Sequence, residues 1–191
     1  MVSYTRTSQH AQASDTLLHS LRLYRSAIRP EPTGAGLRTQ ALLTVCNVDH
    51  ETTDPQAETL RVRVLTYTGP FNFAAMNNRT AESAAAEVLL LLNNDNDIQH
   101  SDWPSEMVRH VLWPDVGVAG ADLLHRNGTP QHGGIVLRPE GRTTHLCRGA
   151  AGSDPGYLAQ LATTRDVAVV TGACVAIRQA VYLDVGGMGA C

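Results

Sequence analysis

The sequence predicts an α/β protein with a mainly parallel sheet and helices on its flanks. Three observations carry that expectation. Apolar runs of strand length alternate with stretches of helical spacing. Several runs are apolar at consecutive positions, as strands covered on both faces must be, and "VLLLL" at 88–92 is the purest of them. The strongest runs also stop abruptly on polar residues, where a sheet would give way to solvent.

The elements follow in order. Leu17, Leu18, Leu21, Tyr24 and Ile28 recur at helical spacing behind Ser14, a good N-cap, and predict a first helix of about four turns. "RPEPTGAGLRTQ" is rich in Pro and Gly and reads as a loop. "ALLTVCNVD" (41–49) and "RVRVL" (61–65) read as strands. "FAAMNNRTAESAAA" is Ala-rich and helical, leading directly into "VLLLL". A further helix starts after a Ser101 or Asp102 cap, takes Pro104 in its first turn and turns Met107, Val108, Val111 and Leu112 inward. "VGVAGA" and "GGIVL" are the next strands. From Gly141 to Arg165 the pattern weakens into a long excursion with one short helix. "DVAVVTGACVAI" returns to strand composition, and a last helix covers about 179–185.

Length and composition bound the function. A chain of 191 residues, 43% hydrophobic, makes one domain with a core of Leu, Val and Ala, because aromatics are only 5%. A net charge of -3, with no basic cluster interleaved with stacking aromatics, speaks against nucleic acid. Cys46, Cys147, Cys174 and Cys191 form no C-x-x-C pair and read as reduced thiols of a cytoplasmic protein. "TLLHSLRLY" is broken by His19 and Arg22, so no signal peptide is expected, and no apolar run is long enough to span a bilayer. Peripheral contact with the inner face of the cell membrane is left open.

The abrupt end of "VLLLL" at Asn93-Asn94-Asp95-Asn96-Asp97 is the first functional signal. Ligands collect at the carboxyl ends of strands in open α/β sheets. Two carboxylates two residues apart, flanked by amides, offer hard oxygen ligands suited to Mg²⁺ or Mn²⁺. The plainer reading is a polar turn, which Asn and Asp form without any ligand. "VDHETTDP" (48–55) supplies a second strand end with acids: Asp49 can accept hydrogen bonds from a base or ribose, while Thr53 and Asp54 close a turn.

"TYTGPFNFAAMNN", "EVLLLLNNDNDI", "VGVAGADLLHRNGTPQHGGIVL" and "VTGACVAIRQAVYLDVGGM" together resemble the family 2 glycosyltransferases, in the branch of rhamnosyl and O-antigen polysaccharide transferases, over residues 41–188. The resemblance implies a GT-A fold in one domain, 1–191: a divergent segment (1–40), a nucleotide-binding part (41–100) and a partial acceptor part (101–191). It implies metal-assisted transfer of a sugar from a nucleotide-diphosphate donor to a glycan or lipid-linked acceptor, usually with inversion. Carried over by position, Asp49 would hold the nucleoside, with Thr53 and Asp54 beside it. Asn77 matches an asparagine near the start of the helix before the metal strand and joins them as a nucleotide-binding candidate. Asn93 and Asp95 fall on the two places of the Asp-x-Asp motif, with Asp95 as the principal metal ligand and Asp97 as an auxiliary. "VSYTRT" puts Thr5 and Arg6 where relatives carry a nucleotide-clamping turn, without a full apolar strand before it.

"QHGG" matches the family's "QHAG", which makes His132 and Gly133 substrate-loop candidates together with Thr171 and Gly172; for His132 the alternative is closing a turn. His125, His132, His145 and Cys147 have no zinc-site spacing. In the family the catalytic base is an acid after the "VGGF" segment. Here Val185-Gly186-Gly187-Met188 is followed by the chain end at Cys191, so the base is unassigned and expected beyond it. Two readings stay open: an active transferase of hexosyl or rhamnosyl type, or a catalytically inactive, truncated remnant that binds a nucleotide sugar or pairs with a complete transferase.

Overall fold

A computed structural model describes residues 2–6, 41–46, 63–93, 96–100 and 102–189. The expected first helix, the Asp49–Asp54 turn and Asp95 lie outside these residues. In chain order the described elements begin with β1 (Val2–Arg6), β2 (Ala41–Cys46), β3 (Arg63–Tyr67), α1 (Phe73–Glu82), β4 (Val88–Asn93) and α2 (Trp103–Val111). They continue with β5 (Val118–Gly120), β6 (Leu123–Leu124), β7 (Pro130–His132), β8 (Ile135–Leu137) and β9 (Thr143–His145). β10 (Cys174–Arg178) and α3 (Gln179–Asp184) close the series.

Six strands form one sheet in the order β3-β2-β1-β4-β10-β5. β3, β2, β1 and β4 are mutually parallel, whereas β10 runs antiparallel to both β4 and β5. The sheet is therefore mixed, with four of its six strands mutually parallel and β10 the one that reverses direction. β1 is inside the sheet, with Val2 paired to Ala41 on one side and Leu90 on the other.

β4 is buried on both faces because its side chains alternate between two clusters. Leu90 and Leu92 pack with Met107, Val111, Cys174 and Ala176 on the α2 side. Leu89 and Leu91 pack with Ala81, Val175 and Tyr182, contributed by α1, β10 and α3. Each fully buried leucine contributes roughly 1.5–3 kcal/mol of transfer free energy, so this strand anchors the fold.

Local chemistry sets the helix ends. Asn72 caps α1 by accepting the Ala75 N–H at 2.9 Å. Asp102 caps α2 by position only, with no side-chain bond to the backbone, and Pro104 lies in its first turn. Met107 and Val111 are buried as expected, but Leu112 is the C-cap and 49% exposed. α3 ends in a Schellman motif: the Gly187 N–H reaches the Tyr182 carbonyl at 2.8 Å and the Gly186 N–H reaches Leu183 at 3.0 Å. Both glycines have positive φ, 78° and 74°, which is the physical reason for "VGG" here.

Three other expectations shift. "RVRVL" enters the sheet two residues later, at Arg63–Tyr67. "GGIVL" supplies β8, which pairs with β9 in a separate hairpin rather than joining the large sheet. Within "DVAVVTGACVAI" the strand begins only at Cys174, and Val169 makes an isolated bridge to Ile135.

Candidate functional site

The strand order reverses around β1: β2 and β3 lie to one side and β4 to the other. At such a switch point the connections leave in opposite directions and open a crevice at the carboxyl ends of the strands. Thr5 pairs with Asn93 across this point, and Arg6 pairs with Val45 on the other side. The turn after "VLLLL" thus emerges beside the reversal. β2, parallel to β1 and β4, ends on the same edge.

The turn is fastened to the chain entering β10. Ala173 carbonyl accepts the Asn93 N–H at 2.8 Å and the Asn96 side-chain amide at 2.8 Å. The same amide reaches the Asn93 carbonyl at 3.3 Å. Among the described residues, the Asn96 side chain thus ties Asn93 to the segment that leads into β10. Asp97 faces Arg126 at 3.8 Å in a solvent-exposed pair.

Thr171 and Gly172 lie next to this turn, as their neighbour Ala173 requires. Thr171 Oγ1 accepts the Ala173 N–H at 3.4 Å. A Cβ on Gly172 would meet the Phe73 ring at 3.4 Å, so the loop lies against the first residue of α1. Asn93, Thr171, Gly172 and the start of α1 are thereby brought together. Asn77 is 2% exposed and its amide donates to the Phe73 carbonyl at 2.8 Å, inside its own helix. Met76 beside it is fully buried.

His132 is buried and bridges two elements. The Thr171 N–H donates to Nε2 at 3.2 Å, so the proton of the neutral ring sits on Nδ1 and is donated to His145 Nδ1 at 2.9 Å. Burial, and then the neighbouring His145, hold His132 below its ordinary pKa. These bonds tie β7 to β9 and to the segment that leads into β10. Cys174 is inert: burial pushes its thiol up to about 12, and its Sγ lies 3.8 Å from Met107 Sδ.

A cavity of about 340 Å³ opens beside β5, with Asp122, His132, Gly133, Gln160, Leu161 and Arg165 in its walls. Sequence reasoning missed Asp122 and Arg165. They belong to different connections, and no local motif joins them. Burial raises the Asp122 pKa, while the Arg165 charge pulls it down.

Among the described residues, no group of three or more His, Cys, Asp or Glu could hold a metal ion. The Asn93 amide and the Asp97 carboxylate are hard oxygen donors on either side of Asp95, a donor chemistry suited to Mg²⁺ or Mn²⁺ and unsuited to soft metals. Among the described residues, no helix is long and apolar enough to cross a membrane.

No family model matches the chain. An uncharacterised protein of Sinorhizobium fredii is 36% identical over 128 residues, 67% of this chain and 14% of that protein. An O-antigen biosynthesis protein of Myxococcus xanthus is 37% identical over 131 residues, 66% of this chain and 10% of that protein. The chain thus spans only a small part of the length of these relatives. Among solved structures, a mannosyltransferase from Pyrobaculum calidifontis, in complex with GDP-Man and Mn²⁺, superposes with a TM-score of 0.58 at 15% identity, covering 98% of this chain and 47% of that one. At that identity the likeness is one of fold: this chain is built as the corresponding half of that mannosyltransferase is built.

Proposed function

We propose that this chain is the donor-binding part of a glycosyltransferase that passes a sugar from a nucleotide-diphosphate donor to a cell-surface glycan or lipid-linked acceptor. The observation that carries this reading is the position of the Asn93–Asp97 turn at the switch point between β1 and β4. Two comparisons support it: the fold of a mannosyltransferase that binds GDP-Man and Mn²⁺, and sequence similarity to an O-antigen biosynthesis protein. The four quoted segments support placing it with the family 2 transferases and transfer with inversion.

Within this reading Asp49 receives hydrogen bonds from the nucleoside, and Thr53 and Asp54 close the turn behind it. Asp95, with the Asn93 amide beside it, holds Mg²⁺ or Mn²⁺ against the diphosphate, and Asp97 adds negative charge nearby. A bound divalent cation supplies charge neutralisation for the departing diphosphate. Asn96 keeps the turn in place through Ala173. The acceptor, a surface-glycan precursor, sets the place of work at the cytoplasmic face of the membrane.

Calorimetric titration with nucleoside diphosphates, with and without Mn²⁺, tests the reading. Binding should require Mn²⁺ and should weaken by about tenfold or more in Asp95→Ala, the cost of losing one charged contact. Equal affinity with and without the metal would overturn the role of Asp95. Absence of binding by every nucleoside diphosphate would overturn the function.

A further inference from the structure

Of the two ion pairs among the described residues, one lies within α2 and the other joins Arg126 to the turn after β4. Arg126 sits at the tip of the β6–β7 hairpin, and that tip is fixed. The Gly128 N–H donates to the His125 carbonyl at 2.8 Å, closing a β-turn with Arg126 and Asn127 at its centre. Gly128 follows at φ 80°, which glycine adopts without strain. Asn127 Oδ1 accepts the Thr129 N–H at 3.1 Å and the Thr129 hydroxyl at 2.7 Å. A Cβ on Gly152 would collide with the Gly128 carbonyl, so the backbone there passes directly behind the tip.

The side chain carried by this rigid tip is free. Arg126 is 96% exposed, and its Nη2 faces Asp97 Oδ2 at 3.8 Å, beyond hydrogen-bond reach. An exposed pair of this kind adds little stability. The planar fork of N–H donors faces solvent beside the residues proposed to hold the metal.

Charge at the β4 turn gives that fork a use. Asp95 and Asp97 carry one negative charge each, which a single divalent cation cancels. A diphosphate on that cation brings its own charge, and the neutral amides of Asn93, Asn94 and Asn96 cannot meet it. A guanidinium can, through parallel bonds to phosphate oxygens. Two residues of chain span at most about 7 Å, so a diphosphate at Asp95 is within reach of an arginine resting against Asp97. The β6–β7 hairpin follows β5, which lies across β4 from β2 in the sheet. A nucleoside on the β2 side therefore turns its outer phosphate toward Arg126.

We propose that Arg126 is a phosphate-binding residue of this site, which exchanges Asp97 for the phosphate farther from the nucleoside when the metal-bound diphosphate arrives. The assignment rests on the glycosyltransferase reading for the identity of the ligand, and its test separates the two.

Calorimetric titration in Mn²⁺ would compare Arg126→Ala and Arg126→Lys with the wild type. The ligands are nucleoside diphosphates, the matching monophosphates and inorganic pyrophosphate. Arg126→Ala should weaken diphosphate and pyrophosphate binding by about tenfold, as expected for one charged contact, and monophosphate binding by less than about twofold. Arg126→Lys keeps the charge without the fork and should fall between. Electron paramagnetic resonance would follow Mn²⁺ binding without nucleotide. Arg126→Ala should bind the free ion at least as tightly as the wild type, since a like charge has gone.

An arginine that only neutralised Asp97 would behave in the opposite way: its removal would leave diphosphate affinity unchanged or raise it. That result overturns the proposal. Equal losses for monophosphate and diphosphate, or weaker binding of free Mn²⁺, also overturn it, because the arginine would then act through the turn. In each of those cases nucleotide binding by the wild type leaves the glycosyltransferase reading standing. Wild-type protein that binds neither pyrophosphate nor any nucleoside diphosphate removes both. Pyrophosphate binding that depends on Arg126, with no nucleotide bound, removes the glycosyltransferase reading and leaves this site in place.

Discussion

Asn78 and Met188, separated by 110 residues in sequence, exchange two hydrogen bonds. The Met188 N–H donates to Asn78 Oδ1 and Asn78 Nδ2 donates to the Met188 carbonyl, each at 2.9 Å. Tyr182 OH adds a third at 2.6 Å, to the same Oδ1. One amide on α1 thus fixes the end of α3 and the segment beyond it. Gly187 is packed so closely beneath that a Cβ would stand 2.5 Å from Oδ1.

Replacing Asn78 should therefore cost more than an ordinary helix substitution. Asn78→Leu strands two backbone groups and a phenol at once, a loss of about 2–4 kcal/mol in urea unfolding. Gly187→Ala should also destabilise, through both the clash and its positive φ. Asn78→Asp keeps the acceptor but not the donor, and should fall between wild type and Asn78→Leu.

The two carboxylates of the β4 turn should behave differently. Asp97 makes only an exposed pair with Arg126, worth less than about 1 kcal/mol, so Arg126→Ala should leave unfolding midpoints nearly unchanged. Asp97→Asn should weaken Mn²⁺-dependent nucleotide binding by less than about threefold, far less than Asp95→Ala. Parallel calorimetric titrations of the two variants check this.

Stability should depend on pH through His132. Its folded pKa lies below the ordinary value of 6.5 because burial and His145 disfavour the imidazolium. Between those two values the unfolded chain binds more protons than the folded one. The contribution is complete above pH 6.5 and is lost as pH falls from there through the folded pKa. Urea unfolding across this range should show a slope that His132→Gln flattens.

Cysteine labelling should separate the core from the surface. Cys174, with its thiol pushed up to about 12 and buried on β10, should resist alkylation at pH 8 until the protein unfolds. Cys147 is half-buried and should label in the native state. Peptide mapping by mass spectrometry reads both.

Truncating the centre of β4 should be costly. Leu91 is 1% exposed between α1, β10 and α3, so Leu91→Ala should lose about 3–5 kcal/mol by unfolding in urea.

Much of this was legible in local pattern. "VLLLL" announced a strand covered on both faces, and its polar stop marked the sheet edge where the switch point lies. β1 escaped notice because Val2 and Tyr4 give little apolar signal; its place comes from pairing with β2 and β4, which no local window contains. The resemblance drew attention to Asn77; the bonds from its neighbour Asn78 to Met188, 110 residues away, have no local signature, since helical phase rather than residue type decides that this amide faces α3. Asp122 and Arg165 line one cavity only because β5 and the 160–165 segment fold together, so that cavity has no sequence signature.

The strand that presents the proposed metal ligands depends on distant chain for both its neighbours, with Leu90 paired to Val2 on one side and to Ala176 on the other. Neither partner is local, so during refolding β4 must wait with two bare edges until long loops close. A run of five apolar residues in that state is a template for association between chains. Yield on renaturation should consequently fall steeply with protein concentration, and the cause would be this strand.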